Sequence, residues 1–170
     1  MILRSYDGKS PRLGQRVFVA DNAALIGDVE LGDDCSIWYA ATIRGDVNAI
    51  RIGARTNVQD NCTIHVTHLD WPTVIAEEVT IGHGAIVHGC TVQRRALIGM
   101  GSRVLDGAVV GESALIGAGA LVPEGMQVPP RTLVVGVPAR VKRPLTDEEL
   151  AHLDRSWRNY VEYKDKSLKG

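Results

Sequence analysis

The sequence is poor in aromatic residues and carries almost no net charge. Its 170 residues include only one Phe, three Trp and four Tyr, which are too few rings for the usual two-layer core. The core must therefore consist of small and aliphatic side chains. Since 19 Lys and Arg stand against 20 Asp and Glu, no basic surface is predicted, and we expect neither a nucleic-acid partner nor a membrane partner.

Targeting segments and cysteine motifs are also missing. The N-terminal segment MILRSYDGKSP contains no long apolar run, so it predicts neither a secretory signal nor a membrane span, and we expect a cytoplasmic protein. Cys35, Cys62 and Cys90 are an odd number of cysteines with no CxxC pair among them. They indicate neither a disulfide framework nor a zinc knuckle.

What the sequence does contain is an aliphatic residue at every sixth position. The 17 positions are separated by six residues except for one nine-residue, one eleven-residue and one five-residue step: Val19, Leu25, Leu31, Ile37, Ile43, Ile52, Val58, Ile64, Ile75, Ile81, Ile86, Val92, Ile98, Val104, Val110, Ile116 and Val122. A small residue follows most of them four positions later. This period fits neither a helix nor a simple strand but a short strand plus a turn, which predicts an all-β solenoid with three repeats per 18-residue turn.

A different element closes the chain. Prolines at 129, 130, 138 and 144 predict the end of the solenoid, because proline cannot donate to a ladder hydrogen bond. The segment TDEE at 146–149 is a capping box, and apolar residues follow it at helical spacing. We expect a single domain, residues 1–170, with the β-helix over about 15–130 and a C-terminal α-helix over about 146–168 packed on it.

Three histidines are placed by the same counting. Ile43, Ile64 and Ile86 share one face of successive turns, so His65 and His88 stand side by side, about 4.8 Å apart, close enough to bind one metal ion. His83 falls on another face and cannot join them within one chain. A neighbouring subunit could supply it, and a ring of three prisms is the natural closure. Without a metal, these would be solvated or hydrogen-bonded histidines.

The repeats resemble the hexapeptide-repeat family, whose fold is the left-handed parallel β-helix. IRGD at 43–46, NVQD at 57–60, His65 and GHGAIVHGC at 82–90 resemble the gamma class of carbonic anhydrases. The resemblance covers nearly the whole chain, including GVPARV at 136–141 and the terminal helix. The repeats and the Gly-x-Pro-Ala segment are shared with hexapeptide acyltransferases.

The resemblance implies a homotrimer that binds a divalent metal ion at each subunit interface. His65 and His88 of one subunit and His83 of the next would be the ligands. Zn is the expected metal, with Fe or Co as alternatives, since three imidazoles suit all of them. The implied activity is reversible hydration of carbon dioxide to bicarbonate by a metal-bound hydroxide.

The resemblance also implies roles for other residues. Arg44 and Asp46 would pair across the interface, although they could be an ion pair alone. Gln59 would hydrogen-bond the metal-bound solvent or carbon dioxide.

Asn57 and Asp60 would order the loop around Gln59. Tyr160 matches a helix tyrosine that reaches the site in some relatives, while its helical spacing by itself indicates core.

Proton removal is where the sequence departs from the archetype of this class. Val47 and His68 occupy the places of two glutamates. His68 is therefore the candidate proton-transfer group, because its ordinary pKa of about 6.5 suits that role, with a solvated loop histidine as the alternative. Two other functions stay open: a hexapeptide acyltransferase using acyl-CoA, and a non-catalytic trimer that binds a metal or a small ligand.

Overall fold

A computed structural model describes residues 1–169 as a left-handed parallel β-helix followed by one C-terminal helix. The elements are β1 (Ile2–Arg4), β2 (Arg12–Leu13), β3 (Phe18–Val19), β4 (Ala24–Leu31), β5 (Ser36–Ile37), β6 (Thr42–Ile52), β7 (Asn57–Val58), β8 (Thr63–His65), β9 (Thr73–Ile75), β10 (Thr80–Ile81), β11 (Ile86–His88), β12 (Thr91–Val92), β13 (Leu97–Ile98), β14 (Arg103–Val104), β15 (Val109–Val110), β16 (Leu115–Ile116), β17 (Leu121–Val122), β18 (Gln127–Val128), β19 (Thr132–Val135), β20 (Arg140–Pro144) and α1 (Asp147–Ser167). The predicted fold class is confirmed.

The strands form the three faces of a prism. One of them, which we call the third face, is an eight-stranded sheet in the order β20-β19-β16-β13-β10-β7-β5-β3. The other two faces belong to one twelve-stranded sheet that bends within the long strands β4 and β6, where the pairing register shifts. The first face carries β8, β11, β14 and β17, and the second carries β9, β12, β15 and β18.

The interior is filled by the six-residue repeat. Of the 17 predicted positions, 15 are buried, and Val19 is partly buried against the same core. The exception is Ile86, because Val87 is the residue that fills the interior of that turn. The prediction is wrong by one residue there: two adjacent aliphatic residues cannot be told apart by hydrophobicity, and the observed register aligns Val87 with Ile64.

All three cysteines are buried in the solenoid, as their register predicts. Burial raises the pKa of Cys35 and Cys90 to about 12 and that of Cys62 to about 11. Thiols with such pKa values are packing residues at neutral pH and supply no thiolate to a metal or a substrate.

The parallel ladder runs from β1 to β19. Strands β1 and β2 pair in parallel with β4, and β18 and β19 pair in parallel with β15 and β16. Seven strands of the third face stack in parallel before β20 turns back antiparallel on β19. The prolines at 129 and 130 lie in a corner between two strands, where no ladder donor is lost.

Helix α1 begins with the predicted capping box, in which Thr146 and Glu149 exchange hydrogen bonds. It lies against β5, β7 and β10 and buries Leu153 and Trp157. Tyr160 adds an edge-on contact with Trp38 at 5.5 Å between ring centroids. None of the described helical residues forms a segment long and apolar enough to cross a membrane.

The far end of α1 is held by Lys164, whose side chain is 0% exposed. Its ammonium group lies 2.8 Å from Asp34 Oδ1 and donates to the carbonyl of Arg16. Burial lowers the pKa of Lys164, but hydrogen bonds to Asp165 and Asp34 outweigh burial and raise it above its ordinary value. This ion pair joins the last helical turns to the first turns of the solenoid.

Replacing this lysine tests the joint. Lys164→Met should lower the free energy of unfolding by about 1 kcal/mol, because the Asp34 carboxylate loses one of its two cationic partners and keeps its ion pair with Arg16. Urea unfolding at one protein concentration measures the effect, with Lys166→Met, an exposed lysine two residues away, as the control. Equal unfolding curves for the two variants would contradict this role of Lys164.

Candidate metal centre

Two histidines meet on the first face. His65 and His88 are directly aligned partners in the parallel pair of β8 and β11. Their rings are 5.0 Å apart between centroids, and His65 Nδ1 lies 3.0 Å from His88 Nε2. The side-by-side placement expected from the repeat is present, and both rings are partly buried.

A carboxylate contacts each ring at its other nitrogen. Asp46 Oδ1 is 3.0 Å from His65 Nε2, and Asp106 Oδ1 is 2.5 Å from His88 Nδ1. Asp46 also forms an ion pair with Arg44 of the same chain, so this pair exists before any subunit contact. Burial raises the pKa of Asp46, but hydrogen bonds from His65 and Arg44 outweigh it and leave that pKa below its ordinary value.

Asp106 is a site residue that the sequence analysis missed. It lies outside every motif quoted for the resemblance. A count of 18 residues from His88 reaches Asp106, but the observed register pairs Val87 with Val104, so Asp106 aligns with Gly89 and its side chain reaches back to His88. Residues one turn apart stack on the same face of the prism.

His83 lies on the third face, after β10. The polar residues of the NVQD segment lie beside it. Asp60 Oδ2 is 2.7 Å from His83 Nδ1. The backbone N–H of His83 donates to Gln59 Oε1 at 3.2 Å, and Gln59 Nε2 donates to Asn57 Oδ1 at 3.1 Å. Asn57 and Gln59 are both buried, so this chain of contacts orients the Gln59 amide.

Within one chain, the structure therefore does not bring the three histidines together. Among residues 1–169, no three or more His, Cys, Asp or Glu side chains form a group that could hold a metal ion. His65 and His88 lie on one face of the prism, and His83 lies on another.

The donor set itself fits a divalent metal. Two nitrogen ligands of a tetrahedral zinc ion lie about 3.3 Å apart, given Zn–N distances of about 2.0–2.1 Å. The separation of 3.0 Å between His65 Nδ1 and His88 Nε2 requires only a small opening of the rings. Carboxylates that contact the other nitrogen of the ring, as Asp46 and Asp106 do here, are the usual partners of metal-binding histidines.

His68 and Tyr160 are the remaining predicted site residues. His68 is exposed in the loop after β8, and within the described chain its side chain makes no hydrogen bond. Tyr160 is partly buried on α1, where burial first and the Asp60 charge second raise its pKa to about 12. A groove of about 380 Å³ lies beside His83 and Gln59, between the third face and His152 of α1.

Comparison with known proteins identifies the family. No protein-family model matches the chain. It is 47% identical to a carbonic anhydrase of Geobacillus kaustophilus, covering 92% of this chain and 86% of that one. It is 45% identical to the mitochondrial gamma carbonic anhydrase 2 of Arabidopsis thaliana, covering 90% of this chain and 57% of that one. The chain belongs to the gamma carbonic anhydrase family.

Other relatives of this gamma carbonic anhydrase family member carry different names. The protein YrdA of Escherichia coli is 47% identical over 98% of this chain and 94% of its own. A solved structure from Bacillus cereus, the BC4754 gene product, described as a candidate acetyltransferase, is 44% identical with a TM-score of 0.96 and coverage of 98% and 96%. Family and fold are thus shown.

The buried Asn57 gives a prediction for this gamma carbonic anhydrase family member. Asn57→Ala should lower the free energy of unfolding by about 2 kcal/mol, because Gln59 Nε2 and Thr80 Oγ1 lose a buried partner. Asn159→Ala, at an exposed helical position, is the control and should cost nothing. Thermal unfolding of both variants measures the difference, and a melting temperature unchanged by Asn57→Ala would contradict it.

Proposed function

We propose that the protein is a gamma-class carbonic anhydrase that catalyses the reversible hydration of carbon dioxide to bicarbonate as a homotrimer. The observation that supports this most is the carboxylate that contacts each of the three histidines. Each of His65, His83 and His88 has one carboxylate within 2.5–3.0 Å of one ring nitrogen. The other nitrogens of His65 and His88 face each other at 3.0 Å, and together with Nε2 of His83 they would bind the metal.

The homotrimer follows from the separation of the faces. His65 and His88 on the first face of one subunit would meet His83 on the third face of the next. Such a contact is heterologous, and repeating it closes a ring of three with three sites. Zn, or alternatively Fe or Co, at this position would lower the pKa of a water molecule from 15.7 to about 7.

The chain's own residues would bind and orient the reactants. The Gln59 amide retains one N–H and one carbonyl lone pair after its contacts with Asn57 and His83. It would hydrogen-bond the attacking solvent or carbon dioxide, and Asn57 and Asp60 would hold Gln59 and His83 in place. Arg44 would keep Asp46 directed at His65.

Proton removal has few candidates near these residues. Val47 is apolar and 38% exposed, and it cannot accept a proton. His68 would transfer the proton from its exposed loop, while Tyr160, whose pKa is about 12, would act as a hydrogen-bond donor. We therefore expect proton export to limit the turnover.

A hexapeptide acyltransferase is the second candidate, supported by the likeness to the Bacillus cereus structure. In this alternative a histidine acts as general base and acyl-CoA lies along the groove between two prisms. Binding of CoA would favour it. A non-catalytic trimer, the third candidate, would bind the metal or a small ligand without hydrating carbon dioxide.

Mixing two inactive variants tests the shared metal site. Trimers of His65→Ala or of His83→Ala should bind no metal, but refolding both together at equal amounts should restore about one quarter of the sites. This follows because each mixed trimer has one interface with all three ligands. Metal analysis after removal of free ions gives the number.

The matched control pairs His65→Ala with His88→Ala. Both ligands come from the same subunit in the proposed site, so no mixed trimer restores an interface and the metal content should stay at background. Recovery in this control, or none in the first mixture, would contradict the assignment of ligands to subunits.

Stopped-flow measurements test the activity. Hydration by the zinc-loaded protein should rise with pH through about 7, because deprotonated solvent is the attacking species. Raising the concentration of an imidazole buffer should increase kcat and leave kcat/KM nearly unchanged, while His68→Ala should lower kcat at low buffer only. Activity no higher than that of the metal-free protein in every buffer would exclude the anhydrase function.

A further inference from the structure

Asp106 differs from Asp46 and Asp60, the other two carboxylates that contact these histidines, because no motif of the family resemblance contains it. It lies one turn beyond His88, just after β14 on the first face. Its Oδ1 is 2.5 Å from His88 Nδ1, and its Oδ2 accepts a hydrogen bond of 2.5 Å from Thr67 Oγ1. Both oxygens are therefore engaged, and the carboxylate cannot rotate freely.

The local backbone leaves room for this carboxylate. Gly89 has a φ of +51°, and a Cβ at that position would lie 2.3 Å from Asp106 Oδ1. Trp71 packs on the same side. Its Cβ would lie 2.9 Å from a Cβ at position 89, and its ring lies over Gly107. A side chain at position 89 would displace either Asp106 or Trp71.

Thr67 is itself held in place by its loop. Its N–H donates to the carbonyl of Trp71, and its carbonyl accepts from Asn48 Nδ2. Its hydroxyl thus reaches Asp106 from an ordered backbone. The contact joins the loop after β8 to the turn after β14, 39 residues further along the chain.

The contact with Asp106 assigns the tautomer of His88. An ionised carboxylate only accepts hydrogen bonds, so His88 Nδ1 must carry the hydrogen and Nε2 of the neutral ring must carry the lone pair. Nε2 is the atom that faces His65. Without Asp106, the ring could rotate or adopt the other tautomer.

We propose that Asp106, anchored by Thr67, is the positioning residue that holds His88 with its Nε2 lone pair directed at the metal, and that it thereby sets the metal affinity. This inference rests on the proposed function. It adds Asp106 and Thr67 to the residues of the proposed site. It also explains the glycine at position 89, because a side chain there would displace the carboxylate.

The test measures metal affinity rather than activity. Competition with a chromophoric chelator gives the dissociation constant of Co²⁺, and the visible spectrum of bound Co²⁺ reports the coordination geometry. Asp106→Ala should weaken binding roughly 10- to 100-fold and alter the spectrum. Asp106→Asn keeps an acceptor for His88 Nδ1 and should recover part of the affinity, and Thr67→Val should cause a smaller loss.

The control is Asp21→Asn, the same loss of a charge at an exposed turn, which should bind Co²⁺ as the unaltered protein does. Thermal unfolding of the metal-free variants separates positioning from a merely structural role. A lower melting temperature of Asp106→Ala with an unchanged dissociation constant would overturn the proposal. If the unaltered protein bound no Co²⁺, the proposed function would fail together with it.

Discussion

Parallel stacking of successive turns is the constraint on which the rest of the structure depends. Each strand pairs with the strand one turn away, and Cα partners in adjacent turns share a face. Contacts are therefore set by position within a turn rather than by distance along the chain. His65 and His88 form one column although 23 residues separate them, and Asp106, aligned with Gly89 in the next turn, contacts the His88 ring from the adjacent position. A polar column on the outer surface of a solenoid follows directly from this geometry.

The same constraint explains why one chain could not complete the proposed site. Side chains on the outside of a prism diverge from one face to the next, so ligands on the first and third faces cannot converge on one point. A solenoid can present two neighbouring turns to a metal, as proposed for His65 and His88, but a third ligand from another face would have to come from another prism. The interior, filled by aliphatic residues and buried thiols, has no room for such a site.

Much of this architecture could be predicted because its period is simple. The six-residue repeat predicted the interior positions, and insertions at 66–73 still left His65 aligned with His88. The repeat could not distinguish Val87 from Ile86, since both are aliphatic. Lys164 was also missed, because a lysine in an apolar helical stripe counts as a gap until its partner Asp34 is known. Hydrogen bonds such as that of Thr67 with Asp106 depend on rotamers, which the repeat does not encode.

Charge gives a further reason for the composition of the proposed site. Arg44 neutralises Asp46 within the chain, whereas among the described residues the Asp106 carboxylate hydrogen-bonds Thr67 and His88, and the Asp60 carboxylate hydrogen-bonds His83 and the backbone of Tyr39. In the proposed trimer, Asp106 and Asp60 would both lie close to the three imidazoles. A divalent ion bound there would balance their charge. The interface between subunits would then be held by the ion as well as by packing, since Asp106 and Asp60 belong to different chains.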